Sequence, residues 1–312
     1  MIWANLIHLS YNMWIDREAP ELTGYGQVII GGPKLRFDKA VWDDLLPKMA
    51  ENGVNMLLID LGDGVKYASH PEIAVEGAWS VEELKSELAK LRKLGIEPIP
   101  KLNFSATHDL WLGLYSRMVS TPKYYEVCAD LIGECIDIFD NPRLFHLGMD
   151  EETFGHQVHQ SYVVIRQYDL WWHDLMFFVE QVEKKGARAW IWSDFIWNHK
   201  EEFLERMPKS ILQSNWYYEQ SLEPDSEPCQ TYVNGYNILE ANGYDQVPAG
   251  SNHSTPENFG NTVRWAEEHI APERLKGFFQ TIWRPTTEEF RQRHIEAIEQ
   301  IGRARKEFEG KA

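Results

Sequence analysis

Three consecutive acidic residues follow an apolar run near the middle of the chain. The run, residues 143–149, reads RLFHLGM, and Asp150, Glu151 and Glu152 come directly after it. Carboxyl groups at the end of a buried strand belong either to a solvated turn or to an active site. A pair of them can cleave a glycosidic bond, since one protonates the leaving oxygen while the other stabilises the positive sugar carbon. The position of this strand in the fold decides between the two interpretations.

Strand-like and helix-like runs alternate along all 312 residues, without a Ser/Gly-rich linker. Strands are predicted over residues 2–9, 55–61, 97–104, 144–149, 187–195, 211–218, 246–251 and 275–282. Helices are predicted over residues 37–52, 80–94, 122–139, 161–185, 200–206, 231–241, 256–270 and 287–308. Eight such units predict an α/β fold, a (β/α)8 TIM barrel that forms a single domain over residues 1–312. A doubly wound open sheet is the alternative, but no Gly-rich phosphate-binding fingerprint follows the first strand.

The barrel prediction places the acids at the end of the fold where catalysis occurs. Active sites of such barrels form at the C-terminal ends of the strands, and the acids follow the fourth strand. This position favours an active site at Asp150 and Glu151, with Glu152 outside the chemistry. His146 either orients these acids or packs inside the barrel. His108, after the third strand, either relays charge to Glu151 or is a loop histidine without a catalytic role.

Aromatic residues recur at the same end of the predicted strands. The chain contains 13 Trp, and Trp192, Trp216 and Trp283 follow the fifth, sixth and eighth strands. The face of a Trp ring stacks on the C–H groups of a sugar, so this recurrence favours a carbohydrate pocket over core packing. Asp194, two residues after Trp192, is a further candidate for binding sugar hydroxyls.

The charge and the hydrophobic pattern exclude two kinds of partner. A net charge of −17 argues against nucleic acid, whose phosphates need clustered Lys and Arg, and against an anionic membrane surface. No stretch is apolar for long enough to span a bilayer. Met1 leads directly into the apolar residues 2–7 without a basic segment or a cleavage site, so this run predicts the first strand. The protein is therefore expected to be intracellular or to have lost a leader.

The sequence predicts neither a metal site nor a cofactor. His156 and His159 are closely spaced, but no partner acids are clearly placed around them. Three cysteines form no disulfide framework. Cys128 and Cys135 lie seven residues apart on a predicted helix, so they share a face and are predicted to be free, buried thiols, as is Cys229.

The segment His146-Leu147-Gly148-Met149-Asp150-Glu151 resembles the His-x-Gly-x-Asp-Glu signature of the family-20 glycoside hydrolases, the β-N-acetylhexosaminidases. Residues 55–61 (NMLLIDL), 70–73 (HPEI), 77–84 (GAWSVEEL) and 95–100 (GIEPIP) are similar to the second strand of that family, the loop after it and the approach to the third strand. Trp192, Trp216 and Trp283 correspond to its pocket tryptophans. The resemblance covers most of the predicted barrel.

This resemblance implies a glycosidase that uses no cofactor. It makes Glu151 the general acid, and it makes Asp150 the residue that orients the 2-acetamido group of the substrate, whose carbonyl oxygen is the nucleophile. The expected reaction is exo-acting and retaining, on terminal β-linked N-acetylhexosamine. Tyr217 or Tyr218 would replace the tyrosine that holds the acetamido group, since none follows the seventh strand.

The chain departs from the family at several strand ends. Lys101 and Asn103 stand where the third strand of the family carries two acids, and Arg284 stands where its eighth strand has an acid. The usual Arg after the first strand is missing. Arg284 suggests an anionic group in its subsite. Two alternatives follow: a glycosidase of the same fold for a sugar without the acetamido group, and a carbohydrate-binding barrel that has lost catalysis.

Overall fold

The computed structural model describes residues 1–310 and shows eight parallel strands surrounded by helices. The strands are β1 Ile2–His8, β2 Met56–Asp60, β3 Glu97–Lys101, β4 Leu144–His146, β5 Arg188–Trp192, β6 Leu212–Ser214, β7 Ala249–Ser251 and β8 Gly277–Thr281. They are ordered β6-β5-β4-β3-β2-β1-β8-β7. The seam between β6 and β7 is joined by isolated bridges, Gln213 to Gln246 and Trp216 to Ala249. The predicted (β/α)8 barrel is confirmed.

Eleven α-helices are present within residues 1–310. They are α1 Tyr25–Val28, α2 Lys39–Glu51, α3 Val81–Lys93, α4 Pro122–Ile138, α5 Phe154–Gln157, α6 Asp169–Lys184, α7 Phe195–Asn198, α8 Lys200–Arg206, α9 Glu227–Ala241, α10 Asn258–His269 and α11 Arg291–Glu309. Short 3-10 segments cover Pro71–Ile73, Leu110–Met118 and Glu288–Phe290. No helix in this range is both long and apolar enough to cross a membrane.

The helix predicted over residues 161–185 begins only at Asp169. The residues before it are held in an irregular loop by side-chain hydrogen bonds instead of a helical ladder. Ser161 N donates to Asp16 Oδ1 at 2.7 Å, and Val164 N donates to Gln157 Oε1 at 2.7 Å. The helix predicted over residues 231–241 begins four residues earlier, at Glu227, because proline is tolerated in a first helical turn.

Local signals explain the helices that pack on the barrel. Ser80 caps α3, since its Oγ accepts from Glu83 N at 3.1 Å while the Glu83 carboxylate accepts from Ser80 N at 2.7 Å. The helix α4 buries Cys128 and Cys135 together, and both are free thiols. The shared face predicted for them is confirmed. These apolar faces cover the outside of the strands, as the layered barrel requires.

The inward side of the strands changes from apolar to charged towards the C-terminal end. Leu6, Leu58 and Ile99 are buried in the interior cluster, and alternate residues of a strand share a face, so two positions later His8, Asp60 and Lys101 point inward as well. Lys101 Nζ lies 2.5 Å from Asp60 Oδ2, and His8 Nδ1 lies 3.3 Å from the same oxygen. This buried layer forms the base on which the site rests.

Candidate active site

A turn of unusual backbone conformation carries the two acids. Directly after β4, Gly148, Met149 and Glu151 have φ of 72°, 74° and 55°. Adjacent residues of a regular strand point to opposite faces, and this turn allows Asp150 and Glu151 to line the same cavity. A Cβ at Gly148 would lie 2.0 Å from Asn103 Oδ1, so only glycine fits there. The glycine of the signature is thus explained by a close approach to the third strand.

His146 packs inside the barrel and holds this turn. Its side chain is fully buried, its ring lies 4.7 Å from that of Trp192, and its Nδ1 accepts from Gly148 N at 3.1 Å. Burial, with the charge of Lys101, keeps the pKa of His146 well below its usual value. The imidazole is therefore neutral. Of the two interpretations left open by the sequence, core packing applies, and the ring reaches the acids only through the turn.

Asp150 is a buried carboxylate that the fold keeps ionised. Asn103 Nδ2 donates to its Oδ1 at 2.8 Å, and His108 Nε2 lies 3.3 Å from its Oδ2. Burial on its own would raise the pKa of Asp150, but the positive charge of His108, with Lys101 and Asn103, holds it well below its usual value. Lys101 and Asn103, which stand in place of two acids, therefore support the charge on Asp150.

Glu151 is more exposed than Asp150 and lies between two imidazoles. His108 Nε2 is 3.2 Å from Glu151 Oε2, and His156 Nε2 is 3.4 Å from Glu151 Oε1. Its side chain is 23% exposed, against 2% for His108. Burial tends to lower the pKa of His108, but Asp150 and Glu151 outweigh it and raise that pKa to about 10. His108 is thus a charged bridge between the two acids.

Asp194 lies behind Glu151 and outside the cavity surface. Its Oδ2 accepts from Glu151 N at 2.8 Å. Burial and the negative charge of Asp150 raise the pKa of Asp194 to about 8. Asp194 was predicted to bind sugar hydroxyls, but the structure places it against the backbone of the acid.

The acids open into a cavity of about 460 Å³, within the usual range for small-ligand sites. Predicted site residues lining it are His108, Asp150, Glu151, Trp192, Trp216, Tyr217 and Trp283. The rings of Trp192 and Trp283 lie 6.0 Å apart at 54°, and that of Trp216 stacks on Tyr218 at 5.1 Å. These aromatic faces form an apolar wall beside two carboxyl groups.

Arg284 lies outside this lining. Its guanidinium stacks over the Tyr25 ring at 4.4 Å from the centroid, and it donates to Trp283 O at 2.7 Å. It also lies 3.5 Å from Nδ1 of His253, which does line the cavity. The structure thus places the positive charge of Arg284 behind the wall residues Tyr25 and His253.

Several cavity residues were not among the predicted site residues. They are Met13, Trp14, Tyr25, Ile29, Asn103, His156, Glu219, Cys229, Tyr232, His253 and Ser254. Tyr218, which the sequence offered as the alternative to Tyr217, also lines the cavity. Asn103 and Tyr218 lie shortly after β3 and β6, at the end of the barrel where active sites form. Tyr25 and His156 come from the four-residue helices α1 and α5, which are built within long loops. No sequence periodicity marks such residues.

His108, Asp150 and Glu151 also form the one described cluster whose ligand atoms could meet at a metal ion, all within 4.8 Å. A metal-ligating His usually donates its other ring N–H to an oxygen. Among residues 1–310, Nδ1 of His108 has no such partner, and Lys101 adds positive charge near Asp150. These two features argue against a metal ion at this cluster. His159, three residues after His156, does not join this cluster, since its Nδ1 lies 3.5 Å from Glu21 Oε1.

No protein-family model and no curated protein sequence matches the chain. Solved structures do. The family-20 exo-β-N-acetylglucosaminidase of Vibrio harveyi superposes with a TM-score of 0.63 at 13% identity, over 99% of this chain and 56% of that chain. The family-20 β-N-acetylhexosaminidase of Streptomyces coelicolor A3(2) gives 0.65 at 12% identity, over 96% and 63%. Dispersin B gives 0.56 at 16% identity, over 86% and 95%.

These superpositions establish a shared fold. The barrel has the architecture of family-20 glycoside hydrolases, as the resemblance at residues 146–151 implied, with a strongly diverged sequence. The chain spans little more than half the length of the Vibrio harveyi enzyme.

Proposed function

We propose that this protein is an exo-acting glycoside hydrolase that releases terminal β-linked N-acetylhexosamine, GlcNAc or GalNAc, with retention of configuration. One observation carries the proposal. Asp150 and Glu151 share the charged His108 at one end of a cavity whose wall contains Trp192, Trp216 and Trp283. The family-20 folds of the solved neighbours, one of them in complex with N-acetylglucosamine, support the same assignment.

The charge states of Asp150 and His108 indicate which role each acid has. Asp150 stays ionised and His108 stays protonated near neutral pH. Glu151 is the more exposed acid of the pair, at 23% against 8% for Asp150, so it is the acid that a glycosidic oxygen in the cavity can reach. In this proposal Glu151 protonates the glycosidic oxygen as the bond breaks and later takes a proton from the attacking water.

Asp150 acts on the 2-acetamido group. As a fixed carboxylate in the cavity it accepts the acetamido N–H, which makes the carbonyl oxygen a better nucleophile towards the anomeric carbon. It also stabilises the positive charge of the cyclic intermediate. One oxygen of each acid lies within 4.8 Å of the other. Because the acetamido oxygen attacks first and water attacks the cyclic intermediate afterwards, the anomeric carbon is inverted twice and its configuration is retained.

The wall residues suit a single terminal sugar ring. Trp192, Trp216 and Trp283 offer apolar faces to the ring and to the acetamido methyl group. Tyr218 lies near both acids, whose charges together with burial raise the pKa of its phenol, so it stays a hydrogen-bond donor. We assign it, rather than Tyr217, to the acetamido carbonyl. The limited volume of the cavity supports exo action.

A panel of aryl β-glycosides tests the proposal. Release is expected from the N-acetylglucosaminide or N-acetylgalactosaminide, and the Glu151→Gln variant, with an unchanged circular dichroism spectrum, should lose about 10²–10⁴-fold in kcat. Turnover only of sugars without the acetamido group would support the alternative instead, a glycosidase of the same fold for such sugars. The presence of Lys101 and Asn103 in place of two acids is compatible with that alternative. Sugar binding without any turnover would leave a carbohydrate-binding barrel.

A further inference from the structure

We propose that His156 is a positioning residue for Glu151, an imidazole that steadies the carboxyl group of the acid from the solvent side; this inference rests on the proposed function. His156 Nε2 lies 3.4 Å from Glu151 Oε1, while His108 Nε2 lies 3.2 Å from Oε2. Each carboxyl oxygen of the acid therefore has its own imidazole nitrogen. The second contact comes from the loop after β4, where the sequence showed His156 and His159 only as a closely spaced pair.

The chain between the two residues is built to make this contact. Thr153 N donates to Glu151 O at 2.7 Å, which closes a tight turn directly after the acid. Thr153 is also the N-cap of α5, and its Oγ accepts from His156 N at 3.4 Å. The same oxygen lies 2.8 Å from His156 Nδ1. With Nδ1 held by the threonine, Nε2 is the nitrogen presented to Glu151.

The two imidazoles differ in what they contact. His108 is buried and lies between both acids, so it affects Asp150 and Glu151 together. The His156 side chain is 48% exposed, lines the cavity and contacts only Glu151 among the acids. Its effect is therefore confined to the steps in which Glu151 transfers a proton. Through Nε2, His156 donates to the carboxylate that forms after the leaving group has been protonated.

Other titratable groups surround Glu151 without touching its carboxyl oxygens. These are Asp150, Asp194, Tyr25, Tyr218 and His253. Within residues 1–310, only His108 and His156 come within ion-pair distance of its oxygens. Removal of His156 therefore deletes one of two direct partners and leaves the remaining electrostatic surroundings in place.

Leaving groups of different basicity separate positioning from a merely structural role. With methoxyphenyl glycosides, which need a proton to leave, His156→Ala should lower kcat about tenfold, with little change in KM. With dinitrophenyl glycosides, which leave without a proton, the bond-breaking step should be unaffected. His156→Gln, whose amide N–H reaches the position of Nε2, should recover most of the loss. Equal losses on both substrates, or none on either, would overturn the proposal.

His159→Ala is the matched control. His159 lies in the same loop, but its side chain faces Glu21 and not Glu151. It should leave both activities unchanged. An NMR measurement tests the contact without turnover. In the Glu151→Gln variant the Nε2 chemical shift of His156 should change, because an amide replaces the carboxylate that it contacts, while that of His159 stays constant. An unchanged His156 signal overturns the inference, whereas absence of turnover in the wild type counts against the proposed function alone.

Discussion

The backbone N–H of Glu151 donates a hydrogen bond to Asp194 Oδ2 at 2.8 Å, so a carboxyl group from the fifth strand end fixes the peptide that carries the acid. The second oxygen, Oδ1, is buried and has no hydrogen-bond partner among residues 1–310. Burial and the charge of Asp150 raise the pKa of Asp194 to about 8. This raised pKa favours the protonated carboxyl at neutral pH.

Asp194→Asn should change activity little at neutral pH. It replaces a neutral acid with a neutral amide, whose oxygen can still accept the hydrogen bond from Glu151 N. We expect kcat/KM within about threefold of wild type, whereas Asp194→Ala leaves the N–H unpaired at a cost of about 1–3 kcal/mol. Wild-type activity should decline above about pH 8, where Asp194 ionises beside Asp150, and the Asn variant should lack this decline. A large loss in Asp194→Asn at pH 7 would show that the carboxyl acts as an ion.

His108 should make folding stability depend on pH. Its pKa is raised to about 10 in the folded protein, against about 6.5 in the unfolded chain. Its contribution is fully present below about pH 6.5 and is lost as the pH rises through about 10. Urea unfolding between about pH 8 and 10 should show falling stability in wild type and a flatter profile in His108→Gln. Parallel profiles would contradict a charged bridge.

Gly148→Ala should damage both folding and activity. The added Cβ would lie 2.0 Å from Asn103 Oδ1, at a φ of 72°. The backbone conformation alone costs about 1–3 kcal/mol, and a displaced Asn103 releases Asp150. Gly95→Ala is the control, because its φ is 75° but nothing lies within 4 Å of the new Cβ. Thermal unfolding and kcat should separate the two, since only the Gly148 variant loses activity in the molecules that remain folded.

Arg166 should be more important for stability than for chemistry. Its guanidinium lies 2.6 Å from Glu152 Oε2 and 3.1 Å from Asp174 Oδ2, and all three side chains are buried. Arg166→Met removes the guanidinium that two buried carboxylates share, at an expected cost of about 3–5 kcal/mol. The exposed pair of Arg143 and Glu97 is the comparison, where Arg143→Met should cost about 0–1 kcal/mol. Equal effects in urea unfolding would contradict this account.

The sequence predicts the barrel well because its pattern repeats. Each strand is a short buried run, and the same rule places Asp150, Trp192 and Trp283 at one end of the barrel. The strand ends it predicts extend too far, as in 187–195, where β5 ends at Trp192. Ser193 N still donates to Ser214 O at 3.0 Å, and the strand ends there because α7 begins at Phe195.

The parts of the site that the sequence does not predict depend on long-range contacts. Asp194 looks like a cavity residue from its position, but which way it points depends on the turn at Glu151. Arg284 follows a pocket tryptophan, yet it turns towards Tyr25, which lies more than 250 residues earlier in the chain. Glu152 was expected to stay outside the chemistry, and its buried pairing with Arg166 agrees with that expectation.

The acids and most of the cavity wall lie on different loops. The acids and the imidazoles that contact them come from the loops after β3 and β4. Much of the cavity wall comes instead from the end of β5 and from loops after other strands: Trp14, Tyr25, Trp192, Trp216, His253 and Trp283. Under the proposed function, most of the wall that faces the sugar can therefore change while the acids and their imidazoles stay fixed. A library confined to these wall positions would vary what the cavity binds without altering the acids.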